Sequence, residues 1–278
     1  MYKPPRIFGI YAEPNGARWI LAALPFVILV AGYAVTSEMM HAATPDEKLF
    51  PTFGQMANTM WRLATETNKG AGQILLWTDT VASLGRLLCG VYIAAAIGLV
   101  LGVNMAMFPG FRATFAPFIT FLSIIPPLAL ISILLIALGV GEVSKVTLIF
   151  FGTVFVITRD IYLATLAIPI EQTVKALTLG ATQLGVVYRV ILPQIIPRLL
   201  SAVRLALGSA WLFLIAAEMI AASDGLGYRI SLARRLQNMD VIYPYVLWIT
   251  LLGFMLDTIL RRLTSWLYPW YTSDNSKS

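Results

Sequence analysis

The sequence EQTVKALTLGATQLGVVYRVILPQIIPRLLSAVR, residues 171–204, is a polar, amphipathic stretch that lies between two long apolar runs. Its charged side chains cannot lie exposed in lipid, because an unpaired charge in hydrocarbon carries a large free-energy cost. We therefore expect this stretch to lie on one side of a membrane and to form a docking surface there.

The composition indicates an α-helical membrane protein that crosses the bilayer several times. Hydrophobic residues make up 58% of the 278 residues, charged residues make up 12%, and the mean hydropathy is +0.78. A soluble domain carries roughly twice that charged fraction. The apolar runs are continuous rather than alternating, which excludes a transmembrane β-barrel. The net charge is +6, but the Lys and Arg residues flank apolar runs, as topology determinants do and nucleic-acid-binding faces do not.

Six apolar runs are long enough to cross a bilayer, which takes roughly 20 residues. These are residues 19–35, 81–108, 115–138, 146–168, 199–222 and 241–260. The predicted fold class is therefore all-α, with about six transmembrane helices. We expect the first run to be a retained span rather than a signal peptide, since no small-residue cleavage site follows it. After it, Phe53, Met56, Met60 and Leu63 recur at helical spacing and predict a surface helix over 52–67.

The distribution of positive charge predicts that both termini are cytoplasmic. With the N-terminus inside and six alternating spans, twelve Lys and Arg residues fall on the cytoplasmic side and seven on the outer side. This orientation gives a cytoplasmic N-terminal segment (1–18), a first span with an outer segment (19–80), a transmembrane core (81–262) and a cytoplasmic tail (263–278). It places residues 169–198 in the cytoplasm.

Glycine and proline residues shape this cytoplasmic loop. Two short helices, 173–179 and 182–190, are predicted on either side of Gly180, which permits a sharp change of direction. Leu192-Pro193 is expected to end the second helix, because the residue before a proline is disfavoured in the α region. Pro197 is expected to start the next helix, where its missing N–H has no partner to lose. Such a rigid knob could pass force to a partner.

Short motifs in this chain resemble those of one family of transport proteins. In the cytoplasmic loop, the residues that resemble the "EAA" loop of ABC importer permeases are Ala176, Gly180-Ala181, Val190, Leu192-Pro193, Pro197 and Arg204. Elsewhere the motifs are Thr80-x-x-Ser83-x-x-Arg86, Ile125-Pro126-Pro127-Leu128-Ala129, Gly139-Val140-Gly141-Glu142, Glu218-Met219 and Gly225-Leu226-Gly227. Together they resemble the nitrate, taurine, alkanesulfonate and bicarbonate permease subfamily, from about residue 79 to 262. In one departure, Val174 stands where the family usually has the Glu of that loop.

This resemblance implies a type I ABC importer permease, with a permease core over 81–262 and a coupling loop over 169–198. Residues 176–183 would form a coupling helix that seats on a cytoplasmic ATPase. The residues implied in that contact are Lys175, Ala176, Gly180, Ala181, Gln183, Leu192, Pro193 and Pro197. The resemblance also implies two ATPase subunits, a second permease copy in a homodimer, an external substrate-binding protein and a place in the inner membrane. ATP and Mg²⁺ would bind the ATPase, and this subunit would hold no cofactor.

The residues themselves indicate transport rather than catalysis. The chain has no G-x-x-x-x-G-K-[ST] phosphate loop. His41 and Cys89 are the only His and Cys residues, so neither a Ser-His-Asp or Cys-His site nor a His-based metal site is expected. We predict no catalytic residue and no metal ligand in this chain.

A broken span supplies the best candidates for a substrate pathway. Pro126 and Pro127 must interrupt the third span, and the carbonyls that this frees are tolerated only where protein or water satisfies them. Ser123 and Thr158 are expected to add polar contacts to the same pathway. Glu218, late in the fifth span, is expected either to line the exit of the pathway or to pair with an arginine, Arg86 or Arg229.

Two other charges within the spans are expected to be structural. Arg86 is predicted to anchor its helix by extending its side chain outward to the membrane surface. Asp257 is predicted to pair with Arg261, one helical turn further on.

The leading hypothesis is a permease subunit of an ATP-driven, binding-protein-dependent importer of a sulfonate, nitrate or bicarbonate-type solute. Residues 46–51, DEKLFP, also resemble members that handle urea- or guanidine-type nitrogen compounds, so the same machinery could import those. An ion-driven secondary transporter is a further alternative. It would require paired broken helices and a mid-membrane acidic residue, whereas this chain shows one Pro-broken span.

Overall fold

The computed structural model describes residues 18–43, 49–67 and 72–271. The predicted N-terminal segment up to residue 17, residues 46–48 of the 46–51 motif and the tail beyond residue 271 lie outside these ranges. Within them the chain is built almost entirely from helices. The α-helices are α1 Arg18–Ala43, α2 Phe53–Thr65, α3 Leu75–Met107, α4 Pro109–Ile124, α5 Ile131–Leu138, α6 Glu142–Leu166, α7 Ile170–Thr178, α8 Gln183–Val186, α9 Leu192–Ala221, α10 Leu226–Arg235 and α11 Met239–Leu267.

Five helices in the described ranges are long and apolar enough to cross a membrane, or up to six when one bent pair counts as a span. The bent pair consists of α4 and the segment Pro127–Leu138, which meet at 82°. The expected break at Pro126-Pro127 is confirmed. Ile125 and Pro126 have extended backbones, because the residue before a proline is pushed out of the α region. A short 3₁₀ turn, Pro127–Leu130, then leads into α5.

The described residues divide into two compact units. The first consists of the chain up to Arg62 together with Ala233–Pro244. In it the predicted surface helix is present as α2, and it begins with a capping box in which Thr52 and Gln55 exchange side-chain to backbone hydrogen bonds of 2.9 and 3.3 Å. The Tyr33 hydroxyl donates to the Pro51 carbonyl at 2.7 Å, which ties α1 to the start of α2.

The second unit, Leu63–Leu232 with Tyr245–Ser278, has a core formed by α3, α6 and α9. Helices α3 and α6 run parallel and meet along small residues of α3 at four-residue intervals, Gly90, Ala94, Gly98 and Gly102. A Cβ atom at the three glycines would lie only 2.7–2.8 Å from isoleucine side chains of α6, at Ile149, Ile157 and Ile161. The missing Cβ atoms therefore let the two backbones approach closely, as in small-xxx-small packing of membrane helices.

Helix α9 runs antiparallel to α6 and fits against it in a similar way. The ring of Phe213 lies directly over Gly152, where a Cβ atom would be 2.1 Å from the ring. At the other end of the pair, Arg198 binds Asp160. Because α6 contacts both α3 and α9 over its length, it is the central helix of this unit.

The expected helix break at Leu192-Pro193 is wrong. Residues 183–221 form one helical span, and a π-helical turn, Val187–Ile191, connects α8 to α9. The Leu192 N–H donates to the Val187 carbonyl, five residues back, and this wider turn accommodates Pro193, which has no N–H to donate. Pro197 does not start a helix either, but lies inside α9.

Candidate functional site

The coupling loop follows directly from the central helix. Three residues separate the end of α6 at Leu166 from the start of α7 at Ile170. Helix α7 ends at Thr178, and Gly180, two residues later, has φ +88°. The Gly180 and Ala181 N–H groups donate to the Leu177 and Ala176 carbonyls at 2.9 and 3.1 Å. These two bonds form a Schellman motif, in which the left-handed residue is usually glycine. The expected change of direction at Gly180 is confirmed.

The next helix, α8, begins with a side-chain cap. The Thr182 hydroxyl accepts a hydrogen bond of 3.1 Å from the Gly185 N–H. Residues 176–183 therefore do not form a single coupling helix, contrary to what the resemblance implies. They consist of the last turn of α7, the Schellman turn and the start of α8, because Gly180 and Thr182 are better suited to ending and starting helices than to continuing one.

Contacts to two membrane-spanning helices fix the coupling loop. Gln194 on α9 donates to the Gln172 side chain on α7 at 3.0 Å. One turn further along α9, Arg198 forms a two-point pair with Asp160 on α6, with distances of 2.9 and 2.5 Å. A displacement of the loop would therefore act on both α6 and α9.

The residues predicted to contact an ATPase lie on both sides of the loop. Lys175, Gly180, Gln183 and Pro193 are exposed, Leu192 is half-buried and Pro197 is buried. Ala176 and Ala181 are half-buried and pack against the core residues Val186, Ile191 and Ile195. The exposed surface of the loop carries six large apolar side chains, next to charged ones such as Glu171, Lys175 and Arg189. It includes Ile170, Val174, Leu177, Leu179, Leu184 and Tyr188, with Leu179 79% and Tyr188 67% exposed.

At the opposite end of these helices, Arg86 lies at the centre of a charge cluster in which Arg86 and Glu218 are buried and Glu142 and Asp224 are partly exposed. Its side chain is 5% exposed, and its guanidinium binds Glu142, Glu218 and Asp224. Distances are 2.9 Å to Glu142 Oε1 and 2.7 Å to Glu218 Oε1, and a further bond of 3.2 Å reaches the Asp224 carbonyl. Together with the contacts to Glu142 Oε2 and Asp224 Oδ1, these bonds use all five N–H groups of the guanidinium. The expectation that Arg86 extends to the membrane surface is wrong, because three carboxylates hold it inside.

Glu218 is the most buried member of this cluster, with no exposed surface. Besides Arg86, it accepts hydrogen bonds from the Ser83 hydroxyl at 2.8 and 2.9 Å and from the Gly227 N–H at 2.8 Å. The pairing of Glu218 with Arg86 that the sequence left open is present. The alternative expectation, that Glu218 lines the exit of the substrate pathway, stays a prediction.

A second pair adjoins the first. Asp79 accepts hydrogen bonds from Arg229 Nε at 2.9 Å, from the Tyr245 hydroxyl at 3.0 Å and from the Gly225 N–H at 3.1 Å. Burial lowers the pKa of the Arg229 guanidinium, but its hydrogen bond to Asp79 and the charge of that carboxylate raise it by more, so the pKa lies above its ordinary value.

The charge cluster explains several motifs that look unrelated in the sequence. Four of these motifs contribute residues to the cluster, namely Thr80-x-x-Ser83-x-x-Arg86, Gly141-Glu142, Glu218 and Gly225-Leu226-Gly227. Gly225 has φ +105°, and a Cβ atom there would lie 2.6 Å from the Glu218 carboxylate carbon. The motif spacing places Ser83 and Arg86 on one helix face, but it gives no indication of their partners. Among the residues that the structure describes, no group of three or more His, Cys, Asp or Glu side chains could hold a metal ion.

Asp257 on α11 takes part in two ion pairs away from this cluster, one within its own helix and one with α9. Asp257 lies 3.9 Å from Arg261, so the predicted pair is present. Asp257 also binds Arg204 on α9 at 2.8 Å, a partner that the sequence did not indicate.

A cavity of about 680 Å³ lies among α3, α4, α6 and α9. Three of the predicted pathway residues, Ser123, Pro127 and Thr158, line it, whereas Pro126 and Glu218 do not. Its wall also includes Thr120, Arg159, Tyr162, Ser209 and the rings of Phe151, Phe155 and Phe213. This transmembrane cavity has the size of a small-solute site and combines apolar walls with a few polar groups.

Comparison with known proteins identifies the family. The sequence pattern of the family described as binding-protein-dependent transport system inner membrane component matches residues 94–273. The chain belongs to this family. The taurine transport system permease protein of Escherichia coli K12 is 32% identical to it over 196 residues, or 70% of this chain and 71% of that one. A probable ABC transporter permease protein of Brucella melitensis biotype 1 is 34% identical over 192 residues, or 68% and 78% of the two chains.

More distant relatives extend the same conclusion. A bicarbonate transport system permease protein of Synechococcus elongatus is 30% identical over 202 residues, or 72% of this chain and 71% of that one. A chain of the inward-facing MetNI methionine ABC transporter matches with a TM-score of 0.61 and 20% identity, over 68% of this chain and 94% of that chain. At that identity the match shows the fold, which is that of an ABC importer permease. The chain is therefore a multi-pass permease subunit of the inner membrane.

Proposed function

We propose that this permease is the membrane-spanning subunit of an ATP-driven importer that takes a small polar solute with an anionic group, of the sulfonate, taurine, nitrate or bicarbonate type, from a substrate-binding protein. Relatives named for taurine and bicarbonate transport support this range of solutes. ATP and Mg²⁺ would bind two copies of a separate ATPase, and a second copy of this chain would complete the pathway as a homodimer. Both termini and the coupling loop would face the cytoplasm.

The observation that carries this proposal is the coupling loop, a compact structure with an uncovered apolar surface. Ile170, Leu179 and Tyr188 are each more than half exposed. Apolar side chains grouped on a protein surface mark an interaction site. The Schellman turn, the Thr182 cap and the Gln172–Gln194 bond hold this surface in one shape, so it suits docking into a preformed groove.

The route for force follows from the same contacts. Closure of an ATPase dimer would push the coupling loop, and the three-residue connection to α6 and the π-helical turn before α9 would pass that motion to both helices. Helix α3 would follow α6, because the glycine contacts leave no space between their backbones. The transmembrane cavity lies among these helices and would open to one side of the membrane and then to the other.

The test is ATP hydrolysis by the permease purified together with its ATPase and reconstituted in lipid. Binding protein preloaded with taurine, another sulfonate, nitrate or bicarbonate is added in turn, with urea and guanidinium as further members of the panel. We expect one loaded anion to raise the hydrolysis rate. A permease that purifies without an ATPase would refute the coupling role, and stimulation by urea or guanidinium alone would refute the anion range. Uptake that persists after ATP depletion but stops with an ionophore would support the ion-driven alternative.

Single variants localise the contact. Leu179→Asp places a charge on the most exposed apolar residue of the loop and is expected to reduce co-purification of the ATPase. Ser265→Asp introduces the same charge at an exposed position of α11 and serves as the control. Equal retention of the ATPase by both variants would show that the apolar surface is not the docking site.

A further inference from the structure

The transmembrane cavity is electrostatically one-sided. Arg159 is the only charged side chain among its lining residues in the part of the chain that the structure describes. No carboxylate faces the cavity to balance it. An ion that enters this space therefore meets a positive field near Arg159, and walls of low dielectric strengthen that field.

Arg159 has no partner among the described residues. It makes no hydrogen bond or ion pair with another residue of the described ranges. The carboxylate next to it in the sequence, Asp160, is occupied by both ends of the Arg198 guanidinium. The other arginine close to the cavity wall, Arg112, donates to the Met105 and Ala106 carbonyls and lies over the Tyr162 ring. Arg159 is therefore the cation that remains available to a solute.

The hydroxyl groups of the cavity wall offer few donors to an anion. Thr120, Ser123, Thr158 and Ser209 each donate to a carbonyl of their own helix, at 2.7–2.9 Å. These hydroxyl groups then have only lone pairs left to offer a solute, and lone pairs attract N–H groups and repel anions. The guanidinium of Arg159 is consequently the strongest hydrogen-bond donor on the wall for a negatively charged group.

We propose that Arg159 is the charge-selecting residue of the substrate pathway, the one side chain that draws an anionic group into the cavity and holds it briefly during transfer. This proposal rests on the function proposed above and adds the residue that discriminates by charge. A single charged contact is strong enough to favour entry of an anion and weak enough to allow release. The same residue disfavours guanidinium, which would meet a like charge, whereas no carboxylate is among the described lining residues and the neighbouring Asp160 is paired with Arg198.

The test compares uptake by proteoliposomes that contain the wild-type transporter, Arg159→Gln or Arg159→Lys, supplied with loaded binding protein at a series of concentrations up to saturation. We expect Arg159→Gln to lower the maximal uptake rate about tenfold, because a hydrogen bond to a charged group is worth roughly that factor or more. The apparent KM is expected to stay the same, since the binding protein sets it. Arg159→Lys is expected to restore at least half of the rate. Arg262→Gln removes an exposed arginine outside the cavity and is the matched control.

A chemical rescue separates charge from packing. Cys89 is the only cysteine, so Arg159→Cys in a Cys89→Ser background carries one thiol. Modification with 2-aminoethyl methanethiosulfonate restores a positive charge at residue 159, whereas methyl methanethiosulfonate adds a neutral group. Uptake is expected to recover with the first reagent only.

Either of two results would overturn the role of Arg159. One is wild-type uptake by Arg159→Gln, and the other is equal recovery with both reagents. These results differ from failure of the proposed function, in which the wild-type transporter itself would show no ATP-dependent uptake of any anion in the panel.

Discussion

Substitution of Arg86 by leucine tests whether the charge cluster stabilises the fold. The variant Arg86→Leu leaves three carboxylates without their shared cation, and one of them, Glu218, has no exposed surface. Loss of one partner from a buried ion pair costs about 3–5 kcal/mol, because the remaining charge is neither hydrated nor compensated. At roughly 2–4 °C per kcal/mol for a chain of this size, the melting temperature should fall by about 6–20 °C.

The assay is thermal unfolding in a mild detergent, monitored by far-UV circular dichroism. All variants are heated at the same scan rate, because unfolding of a membrane protein is often irreversible and its apparent melting temperature then depends on the scan rate. Arg261→Leu is the control, because Arg261 is 58% exposed and lies 3.9 Å from its partner. Exposed pairs of this kind contribute about 0–1 kcal/mol. A fall in melting temperature for Arg86→Leu no larger than that of the control would refute the stabilising role of the cluster.

A double variant isolates the physical cause. In Arg86→Leu/Glu218→Leu, both members of the buried pair become apolar. The other two carboxylates can be hydrated, because the Glu142 side chain is 60% exposed and the Asp224 side chain is 47% exposed. We expect at least half of the lost stability to return, since an apolar pair can replace a buried ion pair at little cost. If the two substitutions simply add, unpaired charge is not the reason for the loss.

Three further predictions concern the helix contacts and the coupling loop. Gly102→Ala should destabilise the protein by about 1–3 kcal/mol in the same unfolding assay, because its Cβ would lie 2.7 Å from Ile161 and 2.9 Å from a backbone carbonyl. Gly85→Ala, in open space on the same helix, is the control and should be neutral or stabilising; the same effect at both positions would contradict close packing. Gly180→Val should reduce co-purification of the ATPase more than Gly180→Asn does, since asparagine tolerates the φ of +88° better than a β-branched residue. Equal retention of the ATPase by the two variants would show that this backbone shape does not matter for docking. Gln194→Ala removes the 3.0 Å hydrogen bond between α9 and α7 and should lower the amount of substrate imported per ATP hydrolysed, while the ATPase stays bound. An unchanged ratio of substrate imported to ATP hydrolysed would exclude this hydrogen bond from the coupling route.

Local patterns in the sequence were sufficient for the architecture. Continuous apolar runs predicted the spans, and the break at Pro126-Pro127 follows from the covalent structure of proline wherever it occurs. Gly180 was interpreted correctly for a similar reason, because the left-handed region admits few other residues. In each case the controlling interaction lies within a few residues along the chain.

The same local rules failed where an unusual helix or a distant partner was decisive. At Pro193 a π-helical turn widened the helix, so the proline did not end it. The three acidic partners of Arg86 lie 56, 132 and 138 residues away in the sequence. A single sequence contains no signal that pairs these residues with Arg86. Arg86 was therefore predicted to extend to the membrane surface, as arginine side chains beside apolar runs commonly do. Arg159 was missed because its importance depends on the absence of a partner, which only the folded chain reveals.

The saturated guanidinium of Arg86 restricts how this protein can evolve. Lysine carries one compact ammonium with three donors and cannot reach three separate carboxylates at once, so the most common conservative replacement is not conservative at this residue. A change at any one carboxylate leaves one or two N–H groups of the buried Arg86 guanidinium without an acceptor, which carries a free-energy cost. The arginine and its acidic partners therefore constrain one another, and we expect lineages that descend from this protein to retain them as a set.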